Sequence, residues 1–292
     1  MSPGQRAGVD GILVVDKPRG MTSHDVVSVV RRRLGERRVG HGGTLDPDAT
    51  GVLVLGVGRA TRLLRFIEAA DKEYEAVVVF GVETTSQDSS GDVVAEADAS
   101  AITRADVRRA AGALTGPIEQ IPPMVSAVKV GGERLYRKAR RGEEVERPAR
   151  SVTVFELAVG SFDPGRRATA ELRVRCSPGT YVRTLAHDLG RSLGVGAHIS
   201  ELRRTRVGPF GAEGAIAIDT IEPSSLRPMI DAVAGHPRRE VGADEARAIA
   251  QGKSLEPLGS PGEYAVVGPA GLVAIAEDRG DVGRPIVVVA DP

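Results

Sequence analysis

Twelve residues constrain this chain more than any others: Gly40-His-Gly-Gly-Thr-Leu-Asp-Pro-Asp-Ala-Thr-Gly51. Four of them are glycine, and the apolar residues follow neither a 3.6-residue nor a two-residue period, so the segment is a loop built for backbone shape. Glycine lets backbone N–H groups approach a ligand. Asp46 stands directly before Pro47, which biases it to an extended geometry that presents its carboxylate. Asp46 is therefore a candidate nucleophile or base, with His41 in the same loop; an ordinary Asp-Pro turn is the competing reading.

Around this loop the spacing predicts a mixture of short strands and helices. Residues 11–16 read as a buried strand stopped by Lys17-Pro-Arg-Gly20, and Thr22 caps a helix that buries Val26, Val30 and Leu34 and exposes Arg31 to Arg33. Residues 52–55 resume as a strand, 59–68 as a helix and 72–82 as a strand with Tyr74, Ala76, Val78 and Phe80 on one face. Residues 84–91 read as a polar loop, and Thr103 with Asp106 opens a helix that stops at Gly116-Pro117. Residues 126–130, a Gly131-Gly132 turn and a basic helix at 135–141 predict a projecting arm over about 124–150. Strands follow at 151–159 and 168–176, then a helix capped by Thr180. A Pro-containing connector over 211–240 leads to a helix at 244–250 and three short strands.

A chain of 292 residues, 41% hydrophobic, can bury a large core with a smaller second one. Lys plus Arg balances Asp plus Glu at 39 each, so the total carries no nucleic-acid signal. The distribution is uneven: residues 129–150 hold eight basic against four acidic side chains, and 71–106 two against nine, so the chain can carry a basic face, with ordinary solvated helix faces as the competing reading. A single cysteine, Cys176, makes no internal disulfide, and with five scattered histidines it offers no zinc-ligand spacing. No run approaches the 18 or so apolar residues of a membrane span, so a cytoplasmic protein is expected.

Two further residues stand out. With Thr180 as N-cap, Arg183 falls at N3, where the helix dipole disfavours a cation; it would be explained by a facing carboxylate or phosphate, and otherwise by solvent. Tyr74 is either a core aromatic or a stacking platform for a planar base. Gln251-Gly-Lys-Ser254 lacks the earlier glycine of a phosphate-binding loop, and Gly56-Val-Gly58 stops short of a dinucleotide fingerprint, so neither ATP nor NAD is indicated.

The 40–53 segment closely resembles the catalytic loop of the TruB family, the bacterial tRNA pseudouridine-55 synthases. Asp16-Lys-Pro-Arg-Gly-Met-Thr-Ser23, Lys72-Glu-Tyr74, Pro122-Pro-Met-Val-Ser-Ala127, Cys176-Ser-Pro-Gly-Thr-Tyr-Val-Arg183 and Leu202-Arg-Arg-Thr-Arg-Val-Gly-Pro-Phe210 agree with that family in order and spacing. The tail resembles its PUA-like RNA-binding module more weakly. Gly42 replaces the Thr common in the loop, Asp48 an apolar residue, and Val125 a frequent Tyr.

The resemblance implies an α/β fold of α+β type: a catalytic domain over 1–235 with a mixed, largely antiparallel sheet, and a small β-rich domain over 236–292. It implies isomerisation of a T-loop uridine of tRNA by cleavage of the C1′–N1 bond and rejoining through C5, with no cofactor and no metal. It assigns catalysis to Asp46 and substrate binding to Tyr74, which stacks on the base, to Arg183, which pairs with the aspartate, to His41, which fills the place of the flipped nucleotide, and to Lys17 and Leu202. The expected partner is the tRNA T stem-loop, bound by a monomer with no membrane or protein partner, with Arg203, Arg204 and Arg206 helping to supply a basic surface. A tRNA chaperone that refolds the T arm is the alternative. A nucleoside hydrolase would want a second positioned carboxylate, for which Asp48 is the near candidate.

Overall fold

The computed structural model describes residues 9–124, 129–130, 133–134, 141 and 145–291. The chain opens with β1 (Gly11–Lys17). A reciprocal Thr22–Asp25 capping box starts the Ser23–Leu34 helix, and Gly35 ends it in the left-handed conformation. β2 (Val39–His41) and β3 (Thr50–Val57) flank the glycine loop. Next come β4 (Lys72–Phe80), the hairpin of β5 (Val82–Thr84) and β6 (Val93–Glu96), the Arg104–Ala113 helix and β7 (Gly116–Gln120). In the arm, β8 (Lys129–Val130) pairs antiparallel with β9 (Glu133–Arg134). Val125, residues 126–128 and, except for Arg141, the helix expected over 135–141 lie outside the described residues.

The long strands β10 (Arg150–Asp163) and β11 (Thr169–Cys176) lead to the Val182–Ser192 helix, β12 (Ala197–Val207), β13 (Phe210–Gly211) and β14 (Ile216–Ala217). β15 (Arg238–Glu240), the Ala243–Ala250 helix, β16 (Glu263–Gly268), β17 (Gly271–Arg279) and β18 (Val282–Val288) complete the chain. The large sheet runs β14-β1-β3-β12-β4-β11-β10-β7, with β2 and β13 alongside; β15-β16-β17-β18 form a separate small sheet. The large sheet is antiparallel except where β1 meets β14 and β3 meets β12. This is the mixed α/β architecture expected, with a small β-sheet C-terminal domain.

The β3–β12 junction positions the site. Thr50 lies opposite Arg203 and Gly51 opposite Arg204, so the glycine loop empties onto the strand that also pairs with β4. Gly51 has φ of +102°, and a Cβ there would stand 3.0 Å from the Arg204 carbonyl carbon, so this crossing requires glycine. Phe80, Leu172, Val174, Leu185 and Leu189 fill the layer between the sheet and the two helices 104–113 and 182–192. Each such fully buried Leu or Phe contributes about 1.5–3 kcal/mol. Ala265, Leu272 and Ile275 of the small sheet share a core with Val54, Phe66 and Val233 of the large domain.

Four expectations are corrected. Tyr181, not Thr180, is the N-cap of the Val182–Ser192 helix; the Thr180 hydroxyl donates instead to the Ser177 carbonyl at 2.9 Å, which places Arg183 at the second helical residue. Residues 59–68 are a 3₁₀ turn (Gly58–Leu63) running into one α turn (Leu64–Glu68). The 211–240 connector adds β14 to the edge of the large sheet. β12, at the junction of the sheet's two halves, was hidden because bulges between Ile199 and Glu201 and between Arg204 and Arg206 break the two-residue alternation. Its Arg204 is 1% exposed and belongs to no RNA-facing surface. Arg203 makes two bonds to Asp16 (3.0 and 2.8 Å), and Arg206 meets Glu73 at 3.7 Å and Glu213 at 3.6 Å, so neither adds uncompensated positive charge.

Candidate active site

The backbone of the glycine loop is tied down residue by residue. Buried Ser23 donates from Oγ to the Leu45 carbonyl (3.1 Å) and accepts from the Leu45 N–H (2.9 Å). The Arg204 guanidinium donates to the carbonyls of Val52 (2.8 Å), Thr44 (3.2 Å) and Gly43 (3.2 Å). The Asp46 carbonyl accepts from the Ala49 N–H at 3.2 Å, and the Pro47 carbonyl from the Gly20 N–H at 2.8 Å. These bonds fix the shape of the backbone that carries the Asp46 side chain.

Lys17 is the central strut. It is fully buried, and its three ammonium hydrogens go to the carbonyls of Pro18 (2.9 Å), Met21 (2.8 Å) and Pro47 (3.1 Å), stitching the end of β1 to the residue after Asp46. Burial pushes its ammonium down to about 8, with Asp46 and Asp48 pulling the other way. Lys17→Met leaves the Pro18 and Met21 carbonyls without this donor in a dry environment. We expect it to lower unfolding stability by about 2–4 kcal/mol in denaturant titration, with activity falling as the loop loosens.

Gly42 has a local reason. Its N–H donates to the Val54 carbonyl at 2.8 Å, and a Cβ there would lie 2.7 Å from the branched Cβ of Ile67. In this chain Ile67 occupies the space that the family's Thr would need. Gly42→Thr should therefore cost about 1–3 kcal/mol and depress turnover, and adding Ile67→Ala should recover much of both in melting and rate measurements.

Arg183 faces the Asp46 carboxylate. Its Nε lies 3.0 Å from Asp46 Oδ2, and its Nη1 donates to the Ser86 carbonyl (2.8 Å) and lies 3.3 Å from Asp88 Oδ2. Its side chain is 5% exposed against 39% for Asp46, so the carboxylate is open at the mouth of the site while its counter-charge is shielded from behind. Although the Asp46 carboxyl is open at one edge, the protein packed around it strips water from it and raises it above the ordinary carboxylate range; Arg183 is the strongest opposing influence, while Asp88 adds to the rise.

Tyr74 on β4 lies between Arg204 of β12 and Val174 of β11, and Leu202 pairs with Ala76, so Tyr74 and Leu202 are diagonal neighbours across the two strands. Burial raises the Tyr74 phenol, opposed by Arg204. His41 is half-buried at the end of β2, opposite Leu55, where the loop begins. The structure thus gathers Asp46, Arg183 and Lys17, with Tyr74 and Leu202 on the adjoining strands and His41 at the loop's entrance.

Sequence reasoning missed Asp88. Its Oδ1 accepts from the Ser86 hydroxyl (2.5 Å), the Ser90 N–H (3.0 Å) and the Ser90 hydroxyl (2.6 Å). The signal was a polar run, Thr84-Thr-Ser-Gln-Asp-Ser-Ser-Gly91, denser in hydroxyls than a turn needs. Asp88, not Asp48, is the second carboxylate of the site; Asp48 pairs at 3.8 Å with Arg19 in an exposed contact. Among the described residues, no group of three or more His, Cys, Asp or Glu is placed to hold a metal, and no helix is long and apolar enough to cross a membrane.

Comparison with known proteins matches most of the chain. Residues 31–182 match the family described as TruB family pseudouridylate synthase (N terminal domain), 183–230 the tRNA pseudouridylate synthase B C-terminal domain, and 236–290 tRNA pseudouridine synthase II, C terminal. The chain is 49% identical over 289 residues to tRNA pseudouridine synthase B of Thermobifida fusca, covering 96% of this chain and 99% of that protein. It is 54% identical over 246 residues to the protein of the same name from Symbiobacterium thermophilum, covering 84% and 82%. Among solved structures, a Cbf5-Nop10-Gar1 complex matches with a TM-score of 0.74 at 29% identity, covering 96% of this chain and 85% of that one. An H/ACA RNP bound to a substrate RNA containing 2′-deoxyuridine matches with a TM-score of 0.73 at 26% identity, covering 96% and 85%.

Proposed function

The chain belongs to the TruB family of pseudouridylate synthases, and we propose that it isomerises uridine 55 in the T loop of tRNA to pseudouridine, acting as a cytoplasmic monomer. The observation that carries this reading is the Asp46–Arg183 pair: a carboxylate on a fully braced glycine loop, open on one side and held at 3.0 Å by a buried guanidinium on the other. Asp46 acts at the sugar, as nucleophile at C1′ or as base. The C1′–N1 bond breaks, the uracil turns, C5 bonds to C1′, and the C5 hydrogen leaves as a proton while N1 takes one up from solvent. Tyr74 and Leu202 hold the flipped base, and His41 fills the gap left in the stack. Lys17 serves this chemistry by holding the loop. Residues 1–235 carry the reaction and 236–292 grip the RNA, a division supported by the separate small sheet and the matched C-terminal family.

The hydrolase reading needs a free second carboxylate. Asp88 is near, but Arg183 and three hydrogen bonds from its own loop occupy it. T-arm RNA tritiated at uracil C5 tests all three readings. Release of tritium to water without free uracil is the expected result; free uracil would make the protein a hydrolase, and tight binding without release a chaperone.

A further inference from the structure

We propose that Gln87 and Thr184 form a latch that sets the orientation of Arg183 towards Asp46, making both of them positioning residues for the reaction. The inference rests on the proposed function above. Gln87 is the one non-glycine residue among those described with a positive φ, +63°, a left-handed conformation that an L side chain rarely adopts. Strain of this kind persists where the surroundings over-determine it and collects at functional sites.

The turn at Gln87 directs both neighbours at one guanidinium: the Ser86 carbonyl accepts from Arg183 Nη1 at 2.8 Å, and the Asp88 carboxylate lies 3.3 Å from the same nitrogen. The turn itself is fixed on three sides. The Gln87 N–H donates to the Thr84 carbonyl (3.1 Å), and its own carbonyl accepts from the Ile199 N–H of β12 (3.1 Å). Its side-chain Oε1 accepts from the hydroxyl of Thr184 (3.0 Å). Thr184 is buried and directly follows Arg183 on the helix. Three successive loop residues therefore grip two successive helix residues, and Arg183 Nε is left aimed at Asp46. Without the Thr184–Gln87 bond, the strained turn can relax and carry both Arg183 partners away together.

The test compares single-turnover tritium release and RNA affinity for wild type, Thr184→Val, Gln87→Ala, Gln87→Gly and the Thr184→Val/Gln87→Ala double variant. Each single variant should slow the chemical step about tenfold while RNA affinity stays within about twofold. Gln87→Gly suits the left-handed backbone but lacks the side chain, so a loss equal to that of Gln87→Ala assigns the effect to the latch and not to strain. The double variant should be no slower than the slower single, because both remove one link. Full-rate variants that merely melt earlier, losses that multiply in the double variant, or a loss confined to RNA affinity would each overturn the proposal. Absence of release by wild type would instead overturn the function on which it rests.

Discussion

Asp46→Asn is expected to abolish tritium release, by at least about a thousandfold in single turnover, with RNA affinity near that of wild type. Asn keeps the size of Asp46 and its place on the braced loop, so the loss isolates the charge. The same substitution should raise the melting temperature wherever the wild-type Asp46 carboxyl is ionised, and the sign follows from linkage. The folded protein holds the Asp46 carboxyl above its ordinary value of 3.8, so between that value and its folded pKa the native state binds more protons than the unfolded chain. Stability contributed at this position is present at low pH and falls as pH rises through that window. Above that window the wild-type fold therefore holds an ion that its surroundings penalise, and a neutral isostere removes the penalty. A variant that still releases tritium would show that the carboxylate does not serve the reaction, and one that melts lower than wild type would show that its charge stabilises the fold.

The parts of this site that were legible in the sequence are those whose causes are local. Dense glycine beside Asp46-Pro47 marks a shaped loop, and strict alternation puts Tyr74 with Ala76, Val78 and Phe80, as β4 shows. Arg183 was conspicuous because a cation near a helix start offends the dipole. The missed parts depend on distant partners. Ser86 lies 97 residues from Arg183, and no local period announces that contact. Arg204 resembles a surface arginine until β3, 152 residues away, lends it the Val52 carbonyl. β12, which pairs with β3 on one edge and β4 on the other, escaped because its two bulges erase the alternation by which strands are read.

Arg183→Met should cut turnover at neutral pH by about 10²–10³-fold, and the size of the loss should depend on pH. Removing the guanidinium takes away the strongest influence favouring the Asp46 anion while leaving the burial and the Asp88 charge that oppose it. The Asp46 pKa must then climb further, and the acid limb of the rate profile should move to higher pH. Activity should recover partly as pH rises towards 8. Recovery should stop there, because Lys17, whose ammonium also favours the anion, loses its proton at about 8. Arg183→Lys keeps the charge but not the two-sided reach to Asp46 and Asp88, so its limb should lie between those of Met and wild type. Both variants should also unfold more easily, Met by about 3–5 kcal/mol, since it leaves two carboxylates facing each other without their shared cation. A profile that drops in height without moving along the pH axis would mean that Arg183 acts on bound RNA and not through Asp46.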